Sequence, residues 1–410
     1  MIMATDKQDK VLNVPTLRFP EFSGEWHRTT IGECCSPLEY GMNAPAKEYD
    51  GKNKYIRITD IDEETCTYKY DDVVSPNALL EEKYKVLVND ILFARTGAST
   101  GKAYLYDKKD GLMYYAGFLI RGNVKPDFNA KFVFLQTQTQ KYKKWVDIMS
   151  IRSGQPGINS QEYSSFEFHL PPSKAEQDKI STLFTLLDER ITSQIRIIEK
   201  LQSLMKGLND YLQDTVPLSY SLSFTDIGED YSGLSGKSAE DFGCGKPYIT
   251  YVSIYANNFV EDDCCGKVSV ERNEKQNVVQ KGDMLFTLSS ETPEEVCYGA
   301  VYLGNSIETY LNSFCFGVRN REEKVFSPYM AYFFNSSRFR REVYPLAQGS
   351  TRFNLQKSDF LQKQFLYPSI EDQHRIFEIL NAYDNKIKVE NRIMAHYQLQ
   401  KEFLLRNLFI

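Results

Sequence analysis

The segment Pro172-Ser-Lys-Ala-Glu-Gln-Asp-Lys-Ile180 occurs twice in this chain of 410 residues, the second time as Pro368-Ser-Ile-Glu-Asp-Gln-His-Arg-Ile376. In each copy the serine precedes a helix-forming run and has an acidic residue three positions later, Glu176 or Asp372. Such a pair can form a capping box, which satisfies free N–H groups at the start of a helix. Both segments therefore predict the first turn of a helix, and their repetition indicates a duplicated unit.

After each helix start, apolar residues follow at alternating steps of three and four positions, a spacing typical of a coiled-coil seam. Pro217 ends the first of these helices. The second copy has the polar residues Asn391 and Lys401 in the seam where the first has Ile195 and Met205. Because a polar seam residue can fix register at a cost in stability, our hypothesis gives that role to both. The predicted seam residues are Ile180, Phe184, Leu187, Ile191, Ile195, Ile198 and Met205, then Ile376, Leu380, Ile387, Asn391, Met394, Lys401 and Leu404.

Shorter matches extend the repeat along the chain. They keep the same order, and the distance between the copies varies by only a few residues, which favours duplication of the whole unit. The matches are Ile31-Gly-Glu33 with Ile227-Gly-Glu229, Tyr55-Ile56 and Ile61 with Tyr248-Ile249 and Ile254, Asp90-Ile-Leu-Phe93 with Asp283-Met-Leu-Phe286, and Gly154 and Asn159 with Gly349 and Asn354.

Each repeat begins with a long stretch rich in Gly, Asn, Asp and Tyr, in which short strand-like runs such as 54–61 and 91–94 alternate with turns. Residues 131–148 and 328–343 are the clearest helices within these stretches. We therefore predict an α+β fold of two mixed, β-rich domains, 1–172 and 214–368. These alternate with long helices at 173–213 and 369–410. The helices would pair as an antiparallel coiled coil, giving the chain an internal two-fold repeat.

The bulk composition limits the functional classes. A net charge of −6 argues against a free-standing DNA-binding protein, which is usually basic, so a DNA reader of this composition would take phosphate affinity from a partner. Eight cysteines without a C-x-x-C pair favour reduced thiols in the cytoplasm and give no zinc spacing. The chain has no run of about 18 apolar residues and no signal segment, so we expect a soluble protein that is neither exported nor bound to a membrane.

One glycine-rich loop, Gly97-Ala-Ser-Thr-Gly-Lys102, resembles a phosphate-binding loop only superficially. It is one residue short of G-x-x-x-x-G-K, and an alanine stands where Ser or Thr would hold magnesium. We predict instead that Arg95, Thr96, Ser99 and Lys102 contact DNA; the alternative is a tight turn with solvated charges. The second copy, residues 287–292, lacks the Arg and Lys, as expected if the two domains read different sequences.

A second candidate loop spans residues 151–159 and recurs as 347–354. Arginine pairs well with guanine, and Gln or Asn with adenine, while glycines allow close approach to a groove. The alternative is a structural loop that braces the long helix, and the sequence leaves both interpretations open. The candidates are Arg152, Ser153, Gln155 and Asn159 in the first copy, and Gln348, Ser350, Thr351, Arg352 and Asn354 in the second.

Basic residues are also clustered at corresponding places in both repeats, Lys141, Lys143 and Lys144 in one and Arg338, Arg340 and Arg341 in the other. Because the clusters recur, we predict phosphate contacts, against the alternative of a solvated face. Arg57, in the first strand-like run, is a further candidate for DNA contact.

Catalytic motifs are missing from the sequence. The four histidines are far apart, and no N-P-P-Y or D-P-P-Y of an amino-methyltransferase, no G-x-G-x-x-G and no G-x-S-x-G occurs. We expect no catalytic residues and no metal or cofactor site in this chain.

Together these segments resemble the specificity (S) subunits of type I restriction–modification systems. The resemblance is carried by Val14-Pro-Thr-Leu-Arg-Phe-Pro-Glu-Phe22, by Asn89-Asp-Ile-Leu-Phe-Ala-Arg-Thr-Gly-Ala-Ser-Thr-Gly-Lys102, by the 153–159 loop and by Leu170-Pro-Pro-Ser-Lys-Ala-Glu-Gln177. It covers essentially the whole chain, including the domain–helix–domain–helix order.

The resemblance implies a non-catalytic subunit in the cytoplasm of a bacterium or archaeon. Its two target-recognition domains would each read half of a split, asymmetric site in double-stranded DNA. Its paired helices would space the halves and bind two methylation (M) subunits, which restriction (R) subunits join. S-adenosylmethionine, ATP and magnesium would then belong to the partners. The alternative is a coiled-coil interaction scaffold whose globular domains bind something other than DNA. A nuclease or methyltransferase in its own right would need activity from the purified chain.

Overall fold

A computed structural model of the chain describes residues 13–151 and 155–410. It forms two units, which we call unit 1 (Met1–Ile195 with Arg392–Ile410) and unit 2 (Arg196–Asn391). Two long helices, Lys174–Thr215 and Ile370–Asn407, each contribute residues to both units. Each unit therefore combines one globular domain with part of both long helices.

The centre of unit 1 is a four-stranded antiparallel sheet around the buried strand Asp90–Ala94, whose five residues are all buried. The order across this sheet is Glu39–Tyr40, Leu119–Asn123, Asp90–Ala94, Ala103–Leu105. Three two-stranded ladders join it, His27–Thr30 with Glu167–Leu170, Ala46–Glu48 with Val74–Pro76, and Lys54–Ile56 with Met113–Tyr115. The short α-helices are Ile31–Cys34, Ala130–Gln136, Gln140–Met149 and Ser160–Ser164.

Unit 2 has a five-stranded sheet in the order Gly228–Ser232, Cys315–Asn320, Met284–Thr287, Gly299–Tyr302, Phe259–Val260. It also has three smaller sheets. One has the strand order Cys265–Val268, Phe242–Ile249, Tyr310–Leu311, and a second has the order Ser289–Ser290, Phe353–Leu355, Ala347–Gln348. The third pairs Leu218–Leu222 with Phe365–Pro368. The short α-helices are Phe224–Ile227, Tyr251–Ala256, Ser327–Phe333, Ser337–Val343 and Lys357–Gln362.

The strand registers align the centre of the repeat, whereas the helix ends shift the first of the sequence matches. Parallel pairs join Tyr55 to Tyr114 in unit 1 and Tyr248 to Tyr310 in unit 2, in agreement with the predicted match. The match of residues 31–33 with 227–229 is wrong. Residue 31 begins a short helix, whereas residue 227 ends one. The equivalent helices both carry a capping box at their N-terminus, and Ser223 corresponds to Thr30.

The two helices predicted within the domains are each divided into two. Residues 131–148 separate at Thr139, whose hydroxyl accepts from the N–H of Tyr142, and residues 328–343 separate at Ser336, which accepts from Phe339. A capping hydroxyl in this position starts a new helix because it satisfies the free N–H groups of the first turn.

In unit 1 the two long helices run antiparallel, as three contacts along them establish. Phe184 packs on Phe409, with ring centroids 5.9 Å apart; Asp188 bonds to Lys401; and Arg190 approaches Tyr397, so positions rise along one helix as they fall along the other. In unit 2 the seam positions Ile376 and Leu380 are buried in the main core, with Met205 packed against it. The predicted fold class, two mixed β-rich domains alternating with two long helices, is confirmed.

The two polar seam positions differ in the structure. Lys401 is mostly buried and forms an ion pair of 2.8 Å with Asp188, so it has a partner on the other long helix. Asn391 is exposed, and its amide donates to the carbonyl of Ile387 in its own helix. Glu390 is the buried residue there. Placing Asn391 in the seam was therefore wrong, because the inward-facing position at this turn of the helix is occupied by Glu390, one residue earlier.

Candidate nucleic-acid interface

In unit 1 the first of the two loops singled out in the sequence lies beside the described part of the second, residues 155–159. We call residues 95–102 the first loop and residues 151–159 the second loop. The N–H of Gly97 donates to the carbonyl of Pro156 (2.9 Å), and the N–H of Ile158 donates to that of Arg95 (2.9 Å). Thr96 pairs with Gly157 as an isolated bridge. Side chains distant in sequence are thus held on one surface by backbone hydrogen bonds.

Unit 2 builds the same arrangement from different residues. Its second loop is a hairpin of Ala347–Gln348 and Phe353–Leu355, whose tip, residues 349–352, is exposed. The N–H of Leu355 donates to the carbonyl of Leu288 (2.8 Å), and Ser289 pairs with Asn354. These contacts repeat those of Ile158 with Arg95 and of Gly157 with Thr96.

This equivalence changes the register of the second-loop match. Because Ile158 corresponds to Leu355, Asn159 corresponds to Gln356 and not to Asn354. Both residues stand directly before a short helix, Ser160–Ser164 or Lys357–Gln362. The Asn159 side chain accepts from the N–H of Glu162 and caps its helix. It therefore has a structural role and leaves the set of DNA-contact candidates.

Two glycines in these loops allow conformations that other residues would strain. Gly101 has φ +91°, and a Cβ there would lie 2.6 Å from Cγ1 of Val146. Gly349 has φ +144° at the hairpin tip, and a Cβ would lie 2.0 Å from the carbonyl oxygen of Arg352. Glycine is therefore required at both positions for the loop to turn tightly against its neighbour.

The first loop of unit 1 presents an arginine stacked on a tyrosine. The Arg95 guanidinium lies 4.7 Å from the ring centroid of Tyr40, whose hydroxyl accepts from the N–H of Ser160. Among the residues that the structure describes, Nε of Arg95 has no acceptor. This Nε is buried, so stacking on the ring orients the guanidinium such that only its Nη groups could meet a ligand. The abundance of tyrosine gave no signal that Tyr40 in particular would lie here.

The other candidates of these two loops are placed as follows. Lys102 is half-buried and forms an ion pair of 3.0 Å with the exposed Glu63, a contact that a phosphate can replace. Thr96 and Ser99 are half-buried beside it, and Gln155 is exposed next to Gly97. Arg152 and Ser153 lie outside the described residues.

In unit 2 the hairpin tip carries the exposed polar candidates Ser350, Thr351 and Arg352, with Asn354 exposed on the adjoining strand. Gln348 is also exposed, and its carbonyl oxygen accepts from the side chain of Gln356 (2.9 Å). The hairpin therefore offers one guanidinium, two hydroxyls and two carboxamides to an incoming molecule.

An open cavity of about 270 Å³ lies beside the hairpin, lined by Tyr251, Tyr255, Glu295, Arg352 and neighbouring residues. The Glu295 carboxylate accepts from the Tyr255 hydroxyl (2.6 Å), and this hydrogen bond raises the pKa of Tyr255 to about 12. Tyr255 is therefore a neutral hydrogen-bonding group at physiological pH. The mixture of aromatic faces, an arginine and a carboxylate suits a polar, planar ligand.

The basic clusters are not equivalent. Lys143 and Lys144 are exposed on the helix Gln140–Met149, and Lys141 lies beside the terminal carbonyl of Ile410. On the helix Ser337–Val343, Arg341 is exposed.

Arg338 and Arg340, on the same helix, direct their guanidinium groups inward. Arg338 donates to the carbonyls of Gln213 and Leu366, and Arg340 donates to those of Glu294, Val296 and Cys297. Because their donors are used within the protein, the interpretation of these two as phosphate contacts is not supported.

Arg57 also has an internal role. Its guanidinium donates to both carboxylate oxygens of the buried Asp60 and to Asp72, and these partners raise its pKa, with Asp60 contributing most. Asp60 in turn accepts from the N–H of Arg57. The pair closes a short turn, so Arg57 leaves the set of DNA-contact candidates as well.

Sequence reasoning missed the function of the glutamine in both copies of the quoted segment. Gln177 accepts from the N–H of Asn129, and Gln373 accepts from that of Phe326, in each case the residue that begins a helix of the globular domain. Gln373 also donates to the carbonyls of Lys324 and Pro368. The glutamine therefore fixes each long helix to its domain. The repetition of Gln in both segments was the available signal.

We expect Gln373→Ala to lower the free energy of unfolding by about 1–2 kcal/mol, because a buried N–H and two carbonyls would lose their partner. Gln373 is fully buried. Gln202→Ala, on an exposed face of the first long helix, is the matched control and should change stability by less than about 0.5 kcal/mol. Urea denaturation of both variants measures the difference; equal values would contradict the bracing role.

In the first turn of the first long helix, Glu176, the predicted capping-box partner of Ser173, has different partners from those predicted. Its carboxylate accepts from Nε and Nη2 of Arg18 (both 2.8 Å) and from the indole N–H of Trp26. In the second copy Ser369 caps the helix as predicted, since its hydroxyl oxygen accepts from the N–H of Asp372 and its O–H donates to the Asp372 carboxylate. Glu176 therefore ties the N-terminal segment to the helix.

Within residues 13–151 and 155–410, no group of three or more His, Cys, Asp or Glu side chains has the arrangement of a metal site. No helix in the same ranges has the length and apolar character needed to cross a membrane.

Comparison with known proteins gives two consistent results. The family model of the type I restriction modification DNA specificity domain matches twice, over residues 25–203 and 229–396. The fold is similar to the crystal structure of a type I restriction-modification system S subunit from M. genitalium, with 15% identity, 97% of this chain and 99% of that chain covered, and a TM-score of 0.57. A chain solved for complex assembly and conformational transition of the type I R-M system matches at 15% identity, 95% and 97% coverage and a TM-score of 0.57.

Proposed function

Since this chain belongs to the type I restriction-modification DNA specificity family, whose domain it contains twice, we propose that it is the DNA sequence-recognition subunit of a type I restriction–modification complex. Unit 1 reads one half of a split, asymmetric site in double-stranded DNA, and unit 2 reads the other. The chain carries out no chemistry itself; methylation and cleavage, with S-adenosylmethionine, ATP and magnesium, belong to the M and R subunits. The complex acts in the cytoplasm of a bacterium or archaeon.

The observation that carries this proposal is the loop pair. In both units the first and second loops are joined by the same backbone hydrogen bonds, while the side chains that they present differ. Unit 1 presents Arg95 and Gln155, and unit 2 presents Arg352 and Asn354. The same backbone arrangement with two different sets of exposed side chains is what recognition of two different half-sites requires.

Each proposed contact pairs a side chain of a loop with a chemical group of the DNA. Arg95 and Arg352 are suited to the O6 and N7 acceptors of guanine, and Gln155 and Asn354 to the N6 and N7 of adenine. Hydroxyls of the loops and the exposed cations position the DNA through its phosphates. The proposed set is Arg95, Thr96, Ser99, Lys102, Lys141, Lys143, Lys144, Arg152, Ser153 and Gln155 in unit 1, with Arg341, Gln348, Ser350, Thr351, Arg352 and Asn354 in unit 2.

The long helices are proposed to bind the two M subunits. Both expose large apolar side chains along their length, which an interface would cover and a solvated helix does not need. In unit 1 these are Leu186, Leu399 and Phe403, and in unit 2 they are Ile197, Leu204, Tyr211 and Val389.

The test is genome-wide mapping of adenine methylation in cells that express this chain with its own M subunit. We expect a bipartite motif that disappears when the chain is deleted. If methylation is unchanged by the deletion, the proposed function is wrong. If the chain binds the M subunit but confers no sequence preference, the interaction scaffold is the better explanation.

Phosphate contact by the unit 1 lysines predicts a change in salt dependence. Removal of two cations with Lys143→Ala and Lys144→Ala should flatten the slope of log K against log salt concentration by ~1.8, because each phosphate contact releases counterions. The control is Lys83→Ala with Lys109→Ala, since these lysines have their own acidic partners, Glu81 and Asp107. Fluorescence anisotropy of the assembled complex on the mapped duplex measures the slopes. Identical slopes would remove the two lysines from the interface.

A further inference from the structure

Each unit exposes one phenylalanine at the same turn between two strands. Phe118 is 60% exposed in the turn 116–119, and Phe314 is 56% exposed in the turn 312–315. Both turns are closed by a backbone hydrogen bond, of 2.8 Å in unit 1 and 3.0 Å in unit 2. The register of the central sheets makes the two positions equivalent, since Ala94 pairs with Leu119 and Thr287 with Cys315.

The turn is attached to the first loop in both units. The carbonyl of Phe118 accepts from the N–H of Arg95 (3.0 Å), and the carbonyl of Phe314 accepts from that of Leu288 (2.9 Å). Arg95 and Leu288 are the equivalent residues that begin the loop pair. In unit 2 the guanidinium of Arg352 lies 5.6 Å from the Phe314 ring centroid. In unit 2 the exposed ring therefore lies among the candidate DNA-contacting side chains, and in unit 1 the backbone of the equivalent residue adjoins them.

Repetition distinguishes these rings from ordinary exposed apolar residues. A single exposed phenylalanine on a protein surface needs no explanation. Here the flanking residues have diverged, from Gly117 and Leu119 to Ser313 and Cys315, and the polar loops have diverged further, but the ring is present in both units. An apolar side chain retained among variable polar ones points to an apolar partner feature that both half-sites offer.

We propose that Phe118 and Phe314 each make the apolar base contact of their unit, against the 5-methyl group of a thymine in the major groove of its half-site. This inference rests on the proposed function and adds a class of contact to it. A phenyl ring cannot read hydrogen-bond donors and acceptors, and the thymine methyl group is the apolar feature that base edges present in the major groove. The neighbouring arginines read the polar edges of adjacent base pairs.

The test combines protein and DNA changes in one cycle. The assembled complex of this chain with its M subunit binds duplexes that carry the mapped site, and each thymine of a half-site is replaced in turn by deoxyuridine, which lacks only the methyl group. At one position per half-site we expect about fourfold weaker binding, the loss of one buried methyl group. With Phe314→Ala the same position in the unit 2 half-site should become insensitive to the replacement, while the other half-site keeps its sensitivity. Phe118→Ala should give the reverse.

Three further measurements make the outcome decisive. Phe314→Leu keeps an apolar side chain and should retain part of the thymine preference, whereas Phe314→Ser should not. Leu79→Ala and Ile307→Ala remove side chains that are 87% and 95% exposed on other loops and should leave all affinities unchanged. Thermal melts establish that every variant is folded, as expected for exposed positions.

If the wild-type complex is specific but indifferent to every deoxyuridine, or if sensitivity persists in both alanine variants, the phenylalanine inference is overturned and the proposed function stands. If the wild-type complex has no sequence preference at all, the proposed function itself fails.

Discussion

Replacement of Asp283 by alanine is expected to lower the free energy of unfolding by about 3 kcal/mol, because it removes a buried carboxylate and leaves a mostly buried arginine and two further donors without their acceptor. Asp283 is 2% exposed and accepts from Nη2 of Arg319 (2.9 Å), the Tyr231 hydroxyl (2.7 Å) and the N–H of Gln280 (2.8 Å). It directly precedes the central strand of the unit 2 sheet, Met284–Thr287, and its counterpart Asp90 is equally buried in unit 1.

The matched control for this variant is Asp230→Ala. Asp230 also pairs with a cation, Lys357 (2.7 Å), but both side chains are partly solvated, so its loss should cost less than about 1 kcal/mol. Urea denaturation followed by circular dichroism compares the two variants under identical conditions. Equal losses would mean that burial of Asp283 does not determine its contribution.

Replacement of Asp188 by leucine is expected to lower the free energy of unfolding by about 2–3 kcal/mol, less than for a fully buried pair because the cluster is partly exposed. The Asp188 carboxylate bonds to Lys131 of the globular domain (2.6 Å) and to Lys401 of the second long helix (2.8 Å). Without it, two ammonium groups would be left close together. Lys401→Met should cost less, since unit 2 has Met205 at the matching position.

The contribution of Asp188 should depend on pH in a stated direction. Burial acts to raise the pKa of Asp188, but the ammonium groups of Lys131 and Lys401 outweigh it and hold that pKa below its usual value. A carboxyl group whose pKa is lowered in the folded state stabilises it above the unfolded pKa, about 3.9, and loses this effect as pH falls through the folded value. The difference between thermal melts of wild type and Asp188→Leu should therefore be constant above about pH 5, begin to shrink near pH 4, and disappear only below the lowered folded pKa. A difference that does not shrink as the pH falls would show that packing, not charge, explains the loss.

Local patterns in the sequence predicted much of the fold. The capping serines and the three-four spacing of apolar residues located both long helices, and the Asp90 and Asp283 segments located the central strands. Each of these patterns involves residues only a few positions apart, so it can be recognised from the sequence without knowledge of the fold. Thr139 and Ser336 are residue types that favour the N-cap, but each lies between amphipathic segments that together resemble one longer helix, so the breaks there were not predicted.

The candidate site was harder to predict because it depends on contacts between distant segments. Both loops were identified from their composition, but their adjacency required the backbone bonds between residues 95–97 and 156–158. Arg338 and Arg340 have the same chemistry as DNA-contacting arginines. Only the carbonyls of Gln213 and Val296, brought near by folding, distinguish them. Phe118 has no local signal at all, since its importance follows from its match with Phe314.

Each unit is proposed to read its own half-site through its loop pair. The most direct test is a methylation map of cells whose chain carries Ser350→Ala, Thr351→Ala and Arg352→Ala together, at the exposed hairpin tip of unit 2. We predict that one half of the bipartite motif becomes degenerate or changes, while the other half and the spacing between them stay as in wild type. A motif that is altered in both halves, or in neither, would contradict the account.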